Sequence, residues 1–350
     1  MCPFHTPHFP AHPRFYPSLD RARPGGTRPA NRGKVRPLRD RPWGKIALRA
    51  ALTLVALVGL VVLLHVTQGS AHFTRSLRAL APWLPALILL ELTRVGADLL
   101  ALRALVGPDA RRLAWGEWVR IHLMAQAALV VLPAGRALSE GLKMARFSPL
   151  WGAARATALL ATLHTTTLAS IALVALLATV AAWHLSASLV AVPLALHALF
   201  CLTGAIGLRL ALERAIVPQA VARWLGDAAP AAGELRREAR SLPRFPRSSL
   251  GFKLVNRLAQ ALQFSLLTAG RGGLAGAVLA SATSTLGGAF DLSVASVGPA
   301  DAALAAIAPA LSIEVAGMLA ALATLRVAQL TVSAVGGILA LSSLLAGKSR

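Results

Sequence analysis

Apolar residues in this chain arrive in blocks of about 17 to 25, the length that carries a helix across ~30 Å of hydrocarbon at 1.5 Å per residue. Nine segments carry this signal, at 47–66, 80–105, 116–133, 153–182, 186–208, 252–269, 274–290, 301–322 and 325–346. A soluble fold would need about a quarter of its residues charged, whereas here 14% are charged and 56% hydrophobic, with a mean hydropathy of +0.62. The expected fold class is all-α, a polytopic transmembrane helical bundle spanning 45–347.

Net charge is +22, from 36 Lys and Arg against 14 Asp and Glu. In a soluble protein this surplus would suggest nucleic acid, but its placement argues otherwise. It falls in an N-terminal tail (Arg14, Arg21, Arg23, Arg28, Arg32, Lys34, Arg36, Arg39, Arg41, Lys45) and in interhelical loops, where positive charge fixes topology and meets anionic lipid. No basic domain with interleaved aromatics is present, so no nucleic-acid partner is expected. The tail, 1–44, is rich in Pro, Arg and Gly and reads as disordered and cytosolic. Pro3, Pro7, Pro10 and Pro13 interrupt any helix that would align His5, His8 and His12, so no metal site is expected there. The apolar stretch near Ile46 is long enough to span and lacks a small-residue cleavage site, which favours an anchor over a cleaved signal. Cys2 and Cys201 form neither a disulfide framework nor a metal site.

A basic linker, 209–249, with Arg209, Arg214, Arg223, Arg236, Arg237, Arg240, Arg244 and Arg247, separates halves at 45–208 and 250–347. Its charge places it in the cytosol as a topology-setting loop, with an amphipathic surface helix from Leu210 to Leu225 as the alternative. Trp43, Trp83, Trp115, Trp118, Trp151 and Trp183 lie at or near span ends, where an indole ring favours the headgroup level. If tail and linker share one side, the chain crosses an even number of times between them, yet five apolar segments precede the linker. The segment that fails to cross is the third, whose short run from Ile121 to Leu132 ends in Pro133-Ala134-Gly135. Residues 118–147 therefore read as a re-entrant helical hairpin. A second break is expected after the Gly-rich run ending at Phe290, through Asp291 to Gly298-Pro299-Ala300-Asp301. Irregular backbone at membrane depth is tolerated where it lines a cavity, and paired interrupted segments in two halves point to an inverted repeat.

Intramembrane ionisable residues mark the expected pathway. Glu91, Arg94 and Asp98 are spaced i, i+3, i+7 and share one helical face; each charge near the bilayer centre costs about 2.5–3.5 kcal/mol on insertion scales, so they must pair or meet water. With Arg136, Glu140, Lys143, Asp291, Asp301, Glu314 and Arg326 they form the candidate lipid-contacting set. In one reading, Arg94, Arg136 and Arg326 meet an anionic headgroup while Glu91, Asp98, Glu140 and Glu314 balance charge or take a cationic one. In the other, the same groups are ion pairs that hold helices together. His164, beside Thr165, Thr166 and Thr167, reads as a core hydrogen-bonding residue, and Gly270, Gly272, Gly273, Gly276, Gly336 and Gly337 as sites of close helix packing.

Leu132-Pro133-Ala134-Gly135-Arg136-Ala137-Leu138-Ser139-Glu140-Gly141-Leu142-Lys143 resembles the P-x-R-x-G-E element of the lysylphosphatidylglycerol synthase transmembrane-region family of flippase-like membrane proteins. Val297-Gly298-Pro299-Ala300-Asp301-Ala302-Ala303-Leu304 is similar to its second element, and Arg326 stands where the family carries an Arg in the last span. Ser139 replaces a Gly, Asp301 a Glu and Val297 a small residue. The resemblance implies a protein of the inner or plasma membrane, N-terminus cytoplasmic, that moves or binds a lipid. Membrane lipids and lipid-pathway proteins are the implied partners. No aminoacyl-transferase domain follows Ala346, so synthesis is not expected. No Ser/His/Asp set, metal-ligand cluster or phosphate loop is apparent, so neither catalysis nor a cofactor is expected. The alternative is a membrane-embedded accessory or lipid-modifying protein of lipid biosynthesis.

Overall fold

The computed structural model describes residues 70–131, 135–214, 232–289 and 299–347. All regular structure among them is helical. Eleven α-helices follow in order: α1 (Ser70–Leu80), α2 (Leu84–Val106), α3 (Trp115–Val131), α4 (Gly135–Trp151), α5 (Ala153–His184), α6 (Ser188–Arg214), α7 (Ala232–Ser241), α8 (Arg247–Leu267), α9 (Gly273–Ala289), α10 (Pro299–Ile307) and α11 (Val315–Gly347). The tail, the 47–66 segment and Asp291 lie outside the described residues.

Three stretches are long and apolar enough to cross a membrane: Ala153–His184, Ser188–Arg214 and Val315–Ala340. Their outer faces carry Val180, Leu189, Phe200 and Ile338, all more than 60% exposed. An apolar surface of this extent would drive aggregation in water; it belongs to a membrane-embedded protein. The sequence shows nine apolar segments, of which the third reads as re-entrant and the seventh as interrupted; two physical features separate the remaining described segments from these three. Helices α2 and α8 have 23 and 21 residues but carry polar stripes, while α3 and α9 have 17 each, about 25 Å of helix and short of ~30 Å of hydrocarbon.

Polar residues inside the apolar helices are satisfied locally. On α5 the Thr165 hydroxyl donates to the Thr162 carbonyl at 2.7 Å, and Thr166 and Thr167 donate to that of Leu163 at 2.8 and 2.9 Å. Each threonine bonds back onto its own helix.

Helices α3 and α4 form an antiparallel hairpin. Trp118, one turn into α3, packs on Phe147 and Trp151 near the end of α4, with ring centroids 5.5 and 5.9 Å apart. At the turn, a Cβ on Gly135 would overlap the backbone carbonyl oxygens of Ala128 and Leu129, so only glycine lets α4 start this close to α3. Trp118 is 1% exposed and donates its indole N–H to the Ala110 carbonyl at 3.0 Å, so it is a core residue where the sequence predicts an interfacial one. Trp83, Trp115 and Trp183 are exposed, with the Arg103 guanidinium 4.2 Å over the Trp115 ring.

Two apolar clusters cap the molecule. One joins the C-terminal half of α2 (Leu99–Val106) to Trp118, Phe147, the start of α5, Leu212 and α7. Arg155 of α5 ties it together, reaching Asp109 at 2.5 Å and Glu238 of α7 at 3.8 Å. Arginines crowd this end, and Arg209 donates to the Ala239 and Leu242 carbonyls. Of the candidate surface helix at 210–225, the first residues belong to α6, which continues to Arg214, and the rest lies outside the described residues; the described linker helix is α7, which buries Leu235 and Ala239. Residues 215–231 lie outside the described residues.

The other cluster joins Leu87 of α2, the α5–α6 turn, Phe264 and Leu267 of α8, Leu279, α10 and the first turns of α11. Helices α2 and α8 thus run between the two clusters in opposite directions. Helices α9 and α10 pack on each other, and a Cβ on Gly276 would come within 3.0 Å of the Leu311 side chain.

The sequence predicts separate spans at 301–322 and 325–346; the structure has one continuous α11 from Val315. Leu322-Ala323-Thr324-Leu325 contains no breaker, whereas Pro309 opens a 3-10 turn and Ser312 adopts φ +54°. The break therefore lies upstream, between α10 and α11.

Packing partners recur across the two halves. Helix α2 packs on α8; α3 packs on α11 as α9 does on α5; α2 packs on α11 as α8 does on α5; α4 packs on α5 as α10 does on α11. Gly336 and Gly337 permit the α3–α11 contact: a Cβ on Gly337 would sit 2.9 Å from the Ala127 Cβ.

Candidate functional site

Between the clusters lies a polar seam built on α2 and α8. Glu91, Arg94 and Asp98 line one face of α2, as their spacing requires. Facing them, Lys253, Asn256, Gln260 and Gln263 recur along α8 at intervals of three and four, one stripe of a helix. Lys253 Nζ donates to Asp98 Oδ1 at 2.9 Å. The Asn256 amide donates to the Arg94 carbonyl at 3.0 Å. Arg94 pairs with Glu91 at 2.7 Å, and Gln263 completes that unit, donating to Glu91 at 3.1 Å and accepting from Arg94 at 3.3 Å. Glu91 is 3% exposed and Lys253 8%, so these charges are withdrawn from water and matched at close range, as groups in such surroundings must be.

The α3–α4 hairpin closes one side of the seam. Glu140 and Lys143 pair at 2.8 Å within α4, with Lys143 buried and Glu140 half-buried. His122 of α3 is buried and lies within electrostatic reach of Asp98, Lys143 and Lys253. Its ring nitrogens make no geometrically sound hydrogen bond; the Val95 carbonyl is the group they approach. Arg136 stands exposed in the first turn of α4.

His164 departs from expectation. The neighbouring threonines bond to their own helix, and His164 is exposed while lying within electrostatic reach of Glu140, Lys143, Arg136 and Lys253.

The remaining expected residues divide. Asp301 is buried and pairs with Arg326 at 3.3 Å, with Arg326 also donating to Gln329 at 3.0 Å; this links α10 to α11. Glu314 does not belong with the seam. It sits at the opposite apolar end, 69% exposed at its side chain, 2.7 Å from His72, because the break at Ser312 carries it out of any span. Among the described residues no group of His, Cys, Asp and Glu has metal-binding geometry.

Five α8 residues (Lys253, Asn256, Arg257, Gln260 and Gln263) and His122 escape the sequence prediction. The α8 signal is present as a polar stripe at helical spacing inside a segment that otherwise reads as a span. No protein-family profile, curated protein or solved structure matches this chain.

Proposed function

We propose that the protein translocates or binds a lipid, with the headgroup passing through the polar seam while the acyl chains remain in the surrounding membrane. The observation that carries this is the position of the seam: paired and unpaired charges at mid-length of α2 and α8, with an apolar cluster toward either end. Intramembrane ionisable groups are costly and are kept where a polar species must pass.

The repeated packing supports an inverted repeat of α2–α5 and α8–α11, since α2 and α8 are equivalent members that run antiparallel. On this reading α3–α4 is a re-entrant hairpin entering from the Arg-rich end and α9–α10 one entering from the other, each too short to cross. On the same reading the Arg-rich end is cytosolic by the positive-inside rule, and a cytoplasmic tail and a place in the inner or plasma membrane belong to the proposal. The resemblance of the Arg136–Glu140 and Asp301 elements to flippase-like proteins supports the same conclusion.

Reconstitution provides the test. Purified protein in liposomes should accelerate leaflet exchange of a fluorescent anionic phospholipid, measured by dithionite quenching, and Arg136→Ala or Glu140→Ala should return the rate to that of empty liposomes. Exchange by either variant at the unaltered rate would remove the headgroup path from this site.

A further inference from the structure

The seam's carboxylates are all engaged. Glu91 is held by Arg94, Asp98 by Lys253 and Glu140 by Lys143. Two cations remain, Arg257 and Arg136, and neither forms an ion pair among the described residues. Arg257 lies at the midpoint of α8, half-buried, and a single neutral acceptor takes one of its N–H groups, Gln260 Oε1 at 3.1 Å. The charged groups around it are Arg94, Asp98 and Arg136, two of them cations and the third already bound to Lys253. From α6 the nearby polar groups are His197 and Cys201, which supply no carboxylate. Arg94 adds a buried Nε without a partner. A guanidinium has five N–H donors in a rigid fork that fits two oxygens of a phosphate at once.

We infer that Arg257, backed by Arg94 and Arg136, is an anion site for the phosphodiester of a lipid headgroup that carries no compensating ammonium. This rests on the lipid-translocating reading and adds a selectivity to it. A zwitterionic or aminoacylated headgroup would bring its ammonium into a field of Arg94, Arg136, Arg257, Lys143 and Lys253, with each seam carboxylate already taken. A net-anionic headgroup meets vacant donors and no uncommitted negative charge.

The test uses the full chain in phosphatidylcholine liposomes carrying trace fluorescent phosphatidylglycerol or phosphatidylcholine. Unaltered protein should exchange the phosphatidylglycerol probe at least about tenfold faster, one charge-assisted hydrogen bond being worth roughly a power of ten or more. Arg257→Gln should erase that preference, and Arg257→Lys, which keeps the charge but loses the fork, should retain part of it. Equal rates for the two lipids in unaltered protein, or a preference that survives Arg257→Gln, overturns the proposal.

A second measurement separates it from the failure of translocation itself. In neutral detergent, dioleoylphosphatidylglycerol should raise the thermal midpoint of unaltered protein but not of Arg257→Gln, with inorganic phosphate run beside it to distinguish a lipid site from a site for the free anion. Stabilisation without exchange would keep the anion site and remove the transport; stabilisation of both proteins, or of neither, would remove the site. If Arg257→Gln fails to fold, the Arg257→Lys arm decides: a preference for phosphatidylglycerol as large as that of unaltered protein counts against the proposal.

Discussion

Asp98 and Lys253 illustrate how single side chains hold the seam. The pair is 2.9 Å apart, with Lys253 nearly buried and Asp98 partly so. Removing one partner strands the other, which typically costs 3–5 kcal/mol, whereas removing both can be close to neutral. Lys253→Met should therefore lower stability by about 3 kcal/mol, with part of the loss screened where Asp98 reaches water, and Asp98→Asn together with Lys253→Met should recover most of it. Thermal unfolding in detergent measures both, and a double variant no more stable than Lys253→Met alone would show that the pair is not the source. The α2 half of this arrangement was legible because Glu91, Arg94 and Asp98 are close in sequence and their spacing fixes a common face. Their partners were not, since Lys253 and Gln263 lie 155 and 172 residues away, and a long-range pairing leaves no local trace. Arg257 was hidden for a further reason: the role proposed for it comes from its having no ion-pair partner among the described residues, which only the surrounding geometry reveals.

At the scale of elements, small residues decide which helices approach. Gly337 faces Ala127 so closely that a new methyl would sit 2.9 Å from the Ala127 Cβ, and neither atom is the end of a flexible chain. Gly337→Ala should cost about 1–3 kcal/mol through overpacking, and Ala127→Gly in the same chain should restore much of it. Lack of rescue, read from the same melting curves, would mean that α3 and α11 do not meet there. Hairpin α3–α4 was foreseeable from Pro133-Ala134-Gly135 because a breaker between two apolar runs is a local signal. The extent of α11 was not: nothing in the sequence between Leu322 and Leu325 breaks a helix, and the segmentation there followed expected span length instead of chemistry. The real interruption, a proline-initiated 3-10 turn with Ser312 in the left-handed region, is short enough to hide inside an apolar run.

For the whole molecule, charge asymmetry between the two ends predicts the orientation. Helix α2 ends, α5 begins, α6 ends and α8 begins at one Arg-rich end, while His72, Arg271 and Glu314 gather at the other, where Arg271 donates to the Ser312 carbonyl. With both native cysteines replaced, single cysteines at Arg111 or Arg240 should react with a membrane-impermeant maleimide only after the cells are opened, and one at Arg271 should react in intact cells. The reverse pattern would invert the assignment of sides, and labelling of all three in intact cells would argue against a closed bundle. The all-helical class followed from block length. What composition could not give was the number of segments that are apolar throughout, since it counts polar stripes and lipid-facing surfaces together.

The polar seam lies at the midpoint of α2 and of α8, and position inside a bilayer is also a fraction of an electrical drop. A headgroup with one net negative charge that moves from the cytosolic face to such a layer crosses about half of the transmembrane voltage. The complete passage is worth about 2.3 kcal/mol per charge at 100 mV. With the cell interior negative, that energy assists an anion outward and opposes its return, so under the proposed lipid-translocating function an energised membrane would supply a direction to the traffic.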